Sequence, residues 1–128
     1  MAITAMNHFT VLTDDVPRTV TFYCDLLGLA DGARPDLGFP GAWLYAGDNA
    51  VLHVIGGRPR AELQPGVIDH MAFSATGLAE TLATLVAHDI NHTCRRQAGS
   101  GTWQVFLFDP NGARVELDFG ASEAGTPT

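Results

Sequence analysis

Four side chains in this sequence have the types and spacing to gather a divalent cation. His8 and His70 stand 62 residues apart, in the similar stretches Asn7-His8-Phe9-Thr10-Val11 and Asp69-His70-Met71-Ala72-Phe73. His53 and Glu116 stand 63 apart, each inside a later apolar stretch. Imidazole and carboxylate are ligands for divalent metals, and two histidines with one carboxylate leave coordination positions open. Taken singly, a histidine opening a strand is more often a surface or hydrogen-bonded residue. His53 is flanked by Val51, Leu52, Val54 and Ile55, and Glu116 by Val115 and Leu117. Both are therefore expected to be buried, where an imidazole or carboxylate needs a partner. The paired spacing argues for more. If a pseudo-two-fold axis relates two halves, each pair sits symmetrically about it, and His8, His70 and Glu116 at least, with His53 possible as a fourth, can converge on one ion.

Such halves are visible elsewhere in the chain. At an offset of 62, Val16, Val20 and Tyr23 meet Leu78, Leu82 and Leu85; at 63, Trp43 and Tyr45 meet Phe106 and Phe108. Repeats of this kind decide the fold before any local reading does. Each half reads as strand, helix and three strands, which predicts an α+β fold of two paired βαβββ modules forming a curved mixed sheet around a metal cleft. The modules are expected at residues 1–60 and 61–128, with the linker at 56–66. His8–Thr13 alternates as a strand. Asp14 or Asp15 caps a helix with Pro17 in its first turn, a buried stripe at Val16, Val20, Tyr23 and Leu27, and a stop at Gly28. Ala42–Ala46 and Ala50–Ile55 flank a Gly47-Asp48-Asn49 turn. In the second half, Ile68–Ala75 is a strand, and Leu78–His88 a helix with Leu78, Leu82 and Leu85 inward. Asn91–Gln97, Trp103–Phe108 and Ala113–Phe119 are strands, the last two joined by Asp109-Pro110-Asn111-Gly112. The polar tail after Gly120 is expected to fray.

The chain has 128 residues, a net charge of −7 and 46% hydrophobic residues. That is a globular composition, and its acidity argues against nucleic acid or an anionic membrane as partner. No apolar run reaches the ~18 residues of a membrane span. The first residues lack a basic stretch followed by an apolar block. Cys24 and Cys94 have no metal-type spacing, so the expected setting is the cytoplasm, with free thiols.

The segments Asn7–Val11, Thr21-Phe22-Tyr23-Cys24-Asp25-Leu26-Leu27-Gly28-Leu29, Asp69–Phe73 and Phe108-Asp109-Pro110-Asn111-Gly112-Ala113-Arg114-Val115-Glu116-Leu117 together resemble the vicinal oxygen chelate superfamily. This is the group of glyoxalases, bleomycin-resistance proteins and extradiol dioxygenases. The resemblance covers about residues 5–120. It implies that His8, His70 and Glu116 match the usual metal-ligand positions. It places His53 where glyoxalase I-like members carry a ligand and base, and where ring-cleaving members carry an acid–base histidine. It also implies a homodimer.

A cation so held, whether Fe, Mn, Ni or Zn, would chelate two adjacent oxygens of a small substrate. The expected function is a glyoxalase-like lyase or isomerase. Catalytic roles fall to His53 and Glu116, and substrate contacts to Thr10, Trp43, Gln104 and Phe106. An extradiol dioxygenase is an alternative, although Phe106 stands where those members carry a tyrosine, and phenylalanine donates no hydrogen bond. A fosfomycin-resistance-like transferase is suggested by Thr10, Gly41–Asp48 and Val115–Gly120, without the basic C-terminal segment of those proteins. A metal-free small-molecule binding protein is the remaining reading. Trp43, Tyr45, Trp103 and Phe106 are candidates for an apolar wall, Arg34, Arg58 and Arg60 for an anion clamp. Arg95 and Arg96 read as an exposed edge.

Overall fold

Alternation along the chain sorts side chains onto two faces of two sheets. In a computed structural model describing residues 1–128, the chain divides into two compact units, Met1–Leu63 and Gln64–Thr128. The first contains β1 (Phe9–Leu12), α1 (Val16–Thr21), a π-helical turn (Phe22–Leu26), β2 (Ala30–Gly32), β3 (Gly41–Ala46), β4 (Asn49–Ile55) and a 3-10 turn (Arg60–Glu62). The second contains β5 (Met71–Ala75), α2 (Leu78–Ala87), β6 (His92–Arg96), β7 (Trp103–Phe108) and β8 (Arg114–Phe119). Each unit carries one four-stranded mixed sheet, ordered β1-β4-β3-β2 and β5-β8-β7-β6, so the fold is α+β with paired βαβββ modules.

The registers carry the repeat into three dimensions. Thr10 pairs with His53, and His53 with Trp43; Ala72 pairs with Glu116, and Glu116 with Phe106. These are the same rungs of equivalent ladders at offsets of 62 and 63. Directly paired residues share a face. Val11, Ala42, Leu44, Leu52 and Val54 therefore form the packed face of the first sheet, and Val105, Leu107, Val115, Leu117 and Phe119 that of the second. The opposite faces carry the candidate chemistry.

Local chemistry sets the boundaries. Asp15 caps α1, accepting from the Arg18 amide at 3.0 Å. α1 is shorter than predicted, because the chain passes into the π-helical turn at Phe22. The added residue per turn rotates the inward face. Thr19, Phe22 and Tyr23 are buried, while Val16, Val20 and Leu27 are half-buried. The Thr19 hydroxyl is satisfied by Thr13 Oγ1 at 2.9 Å and the Asp15 carbonyl at 3.1 Å. Gly47 and Asp48 alone join β3 to β4, and Gly47 adopts φ +59°, a value this tight turn requires.

The tail is tied down, contrary to expectation. α2 begins after Gly77 without a cap from its own sequence, and the free amides of Gly77 and Leu78 donate to the Glu123 carboxylate at 3.0 and 2.8 Å. Trp103 Nε1 donates to the Glu123 carbonyl at 2.9 Å. Thr128 completes the edge by accepting from the Cys94 amide at 2.8 Å. No helix is long and apolar enough to cross a membrane.

Both cysteines are free, Cys94 buried and Cys24 half-buried. Burial raises both thiol pKa values, and Asp31 and Asp25 raise that of Cys24 further. Only the thiolate is nucleophilic. Iodoacetamide labelling of the native protein should therefore be slow at neutral pH and rise only above the ordinary thiol range of ~8.5. Cys24 should react before Cys94. Rapid labelling of Cys94 at pH 7, followed by mass spectrometry, would contradict the packing described.

Candidate functional site

In the first unit, three rings stack. His53 lies face to face with His8, ring centroids 3.7 Å apart and planes 12° from parallel, and with Trp43 on its other side at 4.2 Å and 11°. β4 and β3 supply His53 and Trp43 side by side, His8 immediately precedes β1, and Thr10 lies on the rung that holds His53. His53 is half-buried, not buried as predicted. Its neighbours Val51 and Ile55 share its face, so only Leu52 and Val54 point into the core. Burial within the stack, then the neighbouring His8, lowers its pKa below the usual histidine value. His8 Nδ1 bonds Asn7 Oδ1 at 2.7 Å, and Tyr45 is drawn off by its hydroxyl, which donates to the Ala33 carbonyl at 2.5 Å.

In the second unit, polar groups form a chain across β8. Glu116 is 5% exposed, so its carboxylate is committed to neighbours. Oε2 lies 2.8 Å from His70 Nε2, and Oε1 accepts from Gln104 Nε2 at 2.5 Å. The other ring nitrogen, His70 Nδ1, lies 2.8 Å from Asp69 Oδ2, which also receives Arg114 Nη1 at 2.7 Å. The His70 and Arg114 contacts hold the Asp69 carboxyl below its ordinary pKa. Two residues along the same face, Asp118 presents a buried Oδ1 with no hydrogen-bond partner. Burial, then Glu116, raises its pKa. Phe106 stands edge-on to His70 at 5.7 Å, with the Arg95 and Arg114 guanidinium groups over its ring at 4.9 and 4.4 Å.

The expected residues thus fall into two clusters, one per unit. His8, His53, Trp43 and Thr10 share the first, and His70, Glu116, Gln104 and Phe106 the second. Trp103 joins neither. It pairs with Phe119 on the packed face, its indole spent on Glu123. Arg95 is more than an exposed edge, since its rung with Gln104 places it on the Phe106 face. Arg34 donates to the Phe39 carbonyl at 3.0 Å and lines an open groove with Val16, Val20 and Ala42, and its charge adds to the lowering of the His53 pKa. Asn7, Asp69 and Arg114 were missed as site residues. The signal available was an Asn or Asp immediately before each histidine.

Glu116 and His70 are two donors of the type a divalent cation takes, although no group of three or more His, Cys, Asp or Glu side chains gathers at one point. Glu116 is a buried carboxylate whose Oε2 converges with Nε2 of His70 at 2.8 Å, and an ion could replace that direct contact with two ligand bonds. His8 is oriented by the same Nδ1 bond as His70.

Residues 5–117 match the Glyoxalase/Bleomycin resistance protein/Dioxygenase superfamily. The chain belongs to that superfamily. Among its members, "Glyoxylase I 4" of Arabidopsis thaliana is 28% identical over 124 residues, 90% of this chain and 70% of that protein. "Glutathione transferase FosA" of Serratia marcescens is 30% identical over 131 residues, covering 94% of this chain and 84% of that protein. A crystal structure of a variant of the fosfomycin resistance protein FosX of Listeria monocytogenes shares the fold. Its TM-score is 0.74 at 15% identity, with 93% of this chain and 94% of that one covered. It was solved with Mn(II) and 1S,2S-dihydroxypropylphosphonic acid. The superfamily includes lyases, glyoxalases and dioxygenases, and the two paired modules found here are what such members share.

Proposed function

We propose that this superfamily member is a divalent-metal-dependent lyase or isomerase of glyoxalase type, acting on a small substrate with two adjacent oxygens. His70 and Glu116 are its ligands from the second unit and His8 its ligand from a first unit. The observation that carries this reading is the His70–Glu116 pair. A buried carboxylate and an oriented imidazole nitrogen converge at 2.8 Å, on the rung whose repeat counterpart holds His53. When bound, the cation supplies Lewis-acid polarisation of the substrate oxygens.

The chain's own residues supply the rest. His53 is the proton carrier. Its ring is packed face to face between His8 and Trp43, so in this reading His8 would be the ligand and His53 is kept for proton transfer. Its lowered pKa keeps His53 neutral near pH 7 and able to accept a proton from a substrate carbon. Trp43 and Phe106 offer apolar contact, and Thr10 and Gln104 hydrogen bonds, the latter beside Glu116. The homodimer and cytoplasmic location remain part of the reading.

A transferase of the fosfomycin-resistance type is the second reading, supported by the 30% identity to the Serratia marcescens protein.

Elemental analysis of protein purified without chelator should find about one divalent ion per chain, and none after His70→Ala. Undiminished metal in that variant, with its circular dichroism unchanged, would overturn the ligand assignment. Metal-loaded protein incubated in D2O with α-hydroxycarbonyl compounds, or with fosfomycin and glutathione, whose thiol adds to one epoxide carbon while its proton goes to the released alkoxide, separates the two readings. Deuterium incorporation next to the carbonyl supports the isomerase, and opening of the epoxide supports the transferase.

A further inference from the structure

The residue before each metal-candidate histidine occupies the same ring nitrogen. Asn7 Oδ1 lies 2.7 Å from His8 Nδ1, and Asp69 Oδ2 lies 2.8 Å from His70 Nδ1. Each contacting atom is an oxygen that only accepts, so the ring donates from Nδ1 and Nε2 is the nitrogen that would be left for a cation, which in His70 now faces Glu116 Oε2 at 2.8 Å. The two contacts are equivalent in the repeat but differ in charge.

We propose that Asp69, anchored by Arg114, is a positioning residue that strengthens His70 as a metal ligand, and that Asn7 is its weaker, neutral counterpart behind His8. The proposal rests on the metal reading above. Asp69 has a side chain 73% exposed, so burial does not force its contact. Arg114 does, by donating from Nη1 to the same Oδ2 at 2.7 Å. Arg114 is itself held over Phe106 at 4.4 Å, and Phe106 stands edge-on to His70. Arg114, Asp69, His70 and Phe106 therefore brace one another in a ring. The repeat position of Arg114 in the first half is Val51, which brings no charge. There the support comes from the His53 and Trp43 rings. A carboxylate behind an imidazole raises its basicity and fixes its orientation, and losing such a partner typically costs ~10–100-fold in metal affinity. An amide fixes orientation with less gain in basicity. The two imidazoles are thus unequal as ligands, the stronger being the one beside Glu116.

The test is the dissociation constant for Zn(II) and Mn(II), measured by chelator competition on the full chain. Asp69→Asn should weaken binding about 10-fold and Asp69→Leu about 100-fold. Asn7→Asp should tighten it. Arg114→Met should weaken binding in the parent and add little in Asp69→Leu, since both act through one contact. A merely structural role would not give opposite signs in the two halves, nor this loss of additivity. Unchanged affinity in Asp69→Leu, while His70→Ala abolishes binding, would overturn the proposal and leave the metal reading standing. Affinity unchanged in His70→Ala as well would remove both. If Asp69→Leu fails to fold, Asp69→Asn and Asn7→Asp decide alone.

Discussion

Replacing His53 by phenylalanine should lower kcat by about 10²–10⁴-fold while leaving metal affinity within a few-fold of the parent, the range expected for loss of a general base. Phenylalanine keeps a planar ring between His8 and Trp43, whose centroids lie 3.7 and 4.2 Å away, and removes only the titrating nitrogens. The readout is deuterium incorporation into an α-hydroxycarbonyl substrate by metal-loaded protein, paired with a metal titration. A fourth ligand would behave differently. Affinity would fall together with turnover, and that outcome would return His53 to the coordination sphere. The pH profile carries the same sign. Because the folded pKa lies below the ordinary histidine value, the neutral, proton-accepting form persists as pH falls past ~6.5. Activity should therefore be lost only at lower pH than for an unperturbed histidine.

Phe119→Ala should cost about 3–5 kcal/mol of stability, most of what separates a marginal domain from its unfolded chain. Phe119 is 1% exposed and ends β8 in register with Ala75 on one side and Trp103 on the other. Truncation leaves a cavity against the Trp103 indole, which is fixed by its bond to Glu123 and cannot close it. Urea denaturation measures the effect as a shift in midpoint at constant slope. Val86, 69% exposed on α2, is the control, and Val86→Ala should stay within ~0.5 kcal/mol. A cost below ~1 kcal/mol at Phe119 would contradict the packed face of the second sheet.

Much of this arrangement was legible before any coordinates. The offsets of 62 and 63 reappear as matching registers because alternation fixes which side chains share a rung. β7 has its predicted bounds, and α2 differs only by its last residue. The turn after Phe108 is likewise plain from its residues. Asp109 Oδ1 accepts from the Asn111 and Ala113 amides at 2.8 Å each, and Gly112 takes φ +90°. Other features depend on contacts between distant residues. A regular helix was predicted through Leu27, but nothing local signals the π-helical turn that buries Phe22 beside Tyr23. Glu123 reads as a tail residue, and its role as the cap of α2 exists only once the fold brings it to Gly77. His53 looked buried because apolar neighbours surround it in sequence, yet a strand buries alternate residues and it stands on the other face. Asp69 and Asn7 were passed over because a polar residue before a strand is ordinary. Only the bond to the following histidine gives it meaning.

The self-contained sheets carry an evolutionary consequence. Each half completes its own hydrogen-bonded ladder, first strand against last, from local sequence. A tandem copy of an ancestral half would arrive with its scaffold already closed, and either copy could then change on the face opposite its packed core without a compensating change in its sibling. The present rungs record that freedom: threonine, histidine and tryptophan in one copy, alanine, glutamate and phenylalanine in the other. A duplication of that kind would multiply the support and release the chemistry to diverge.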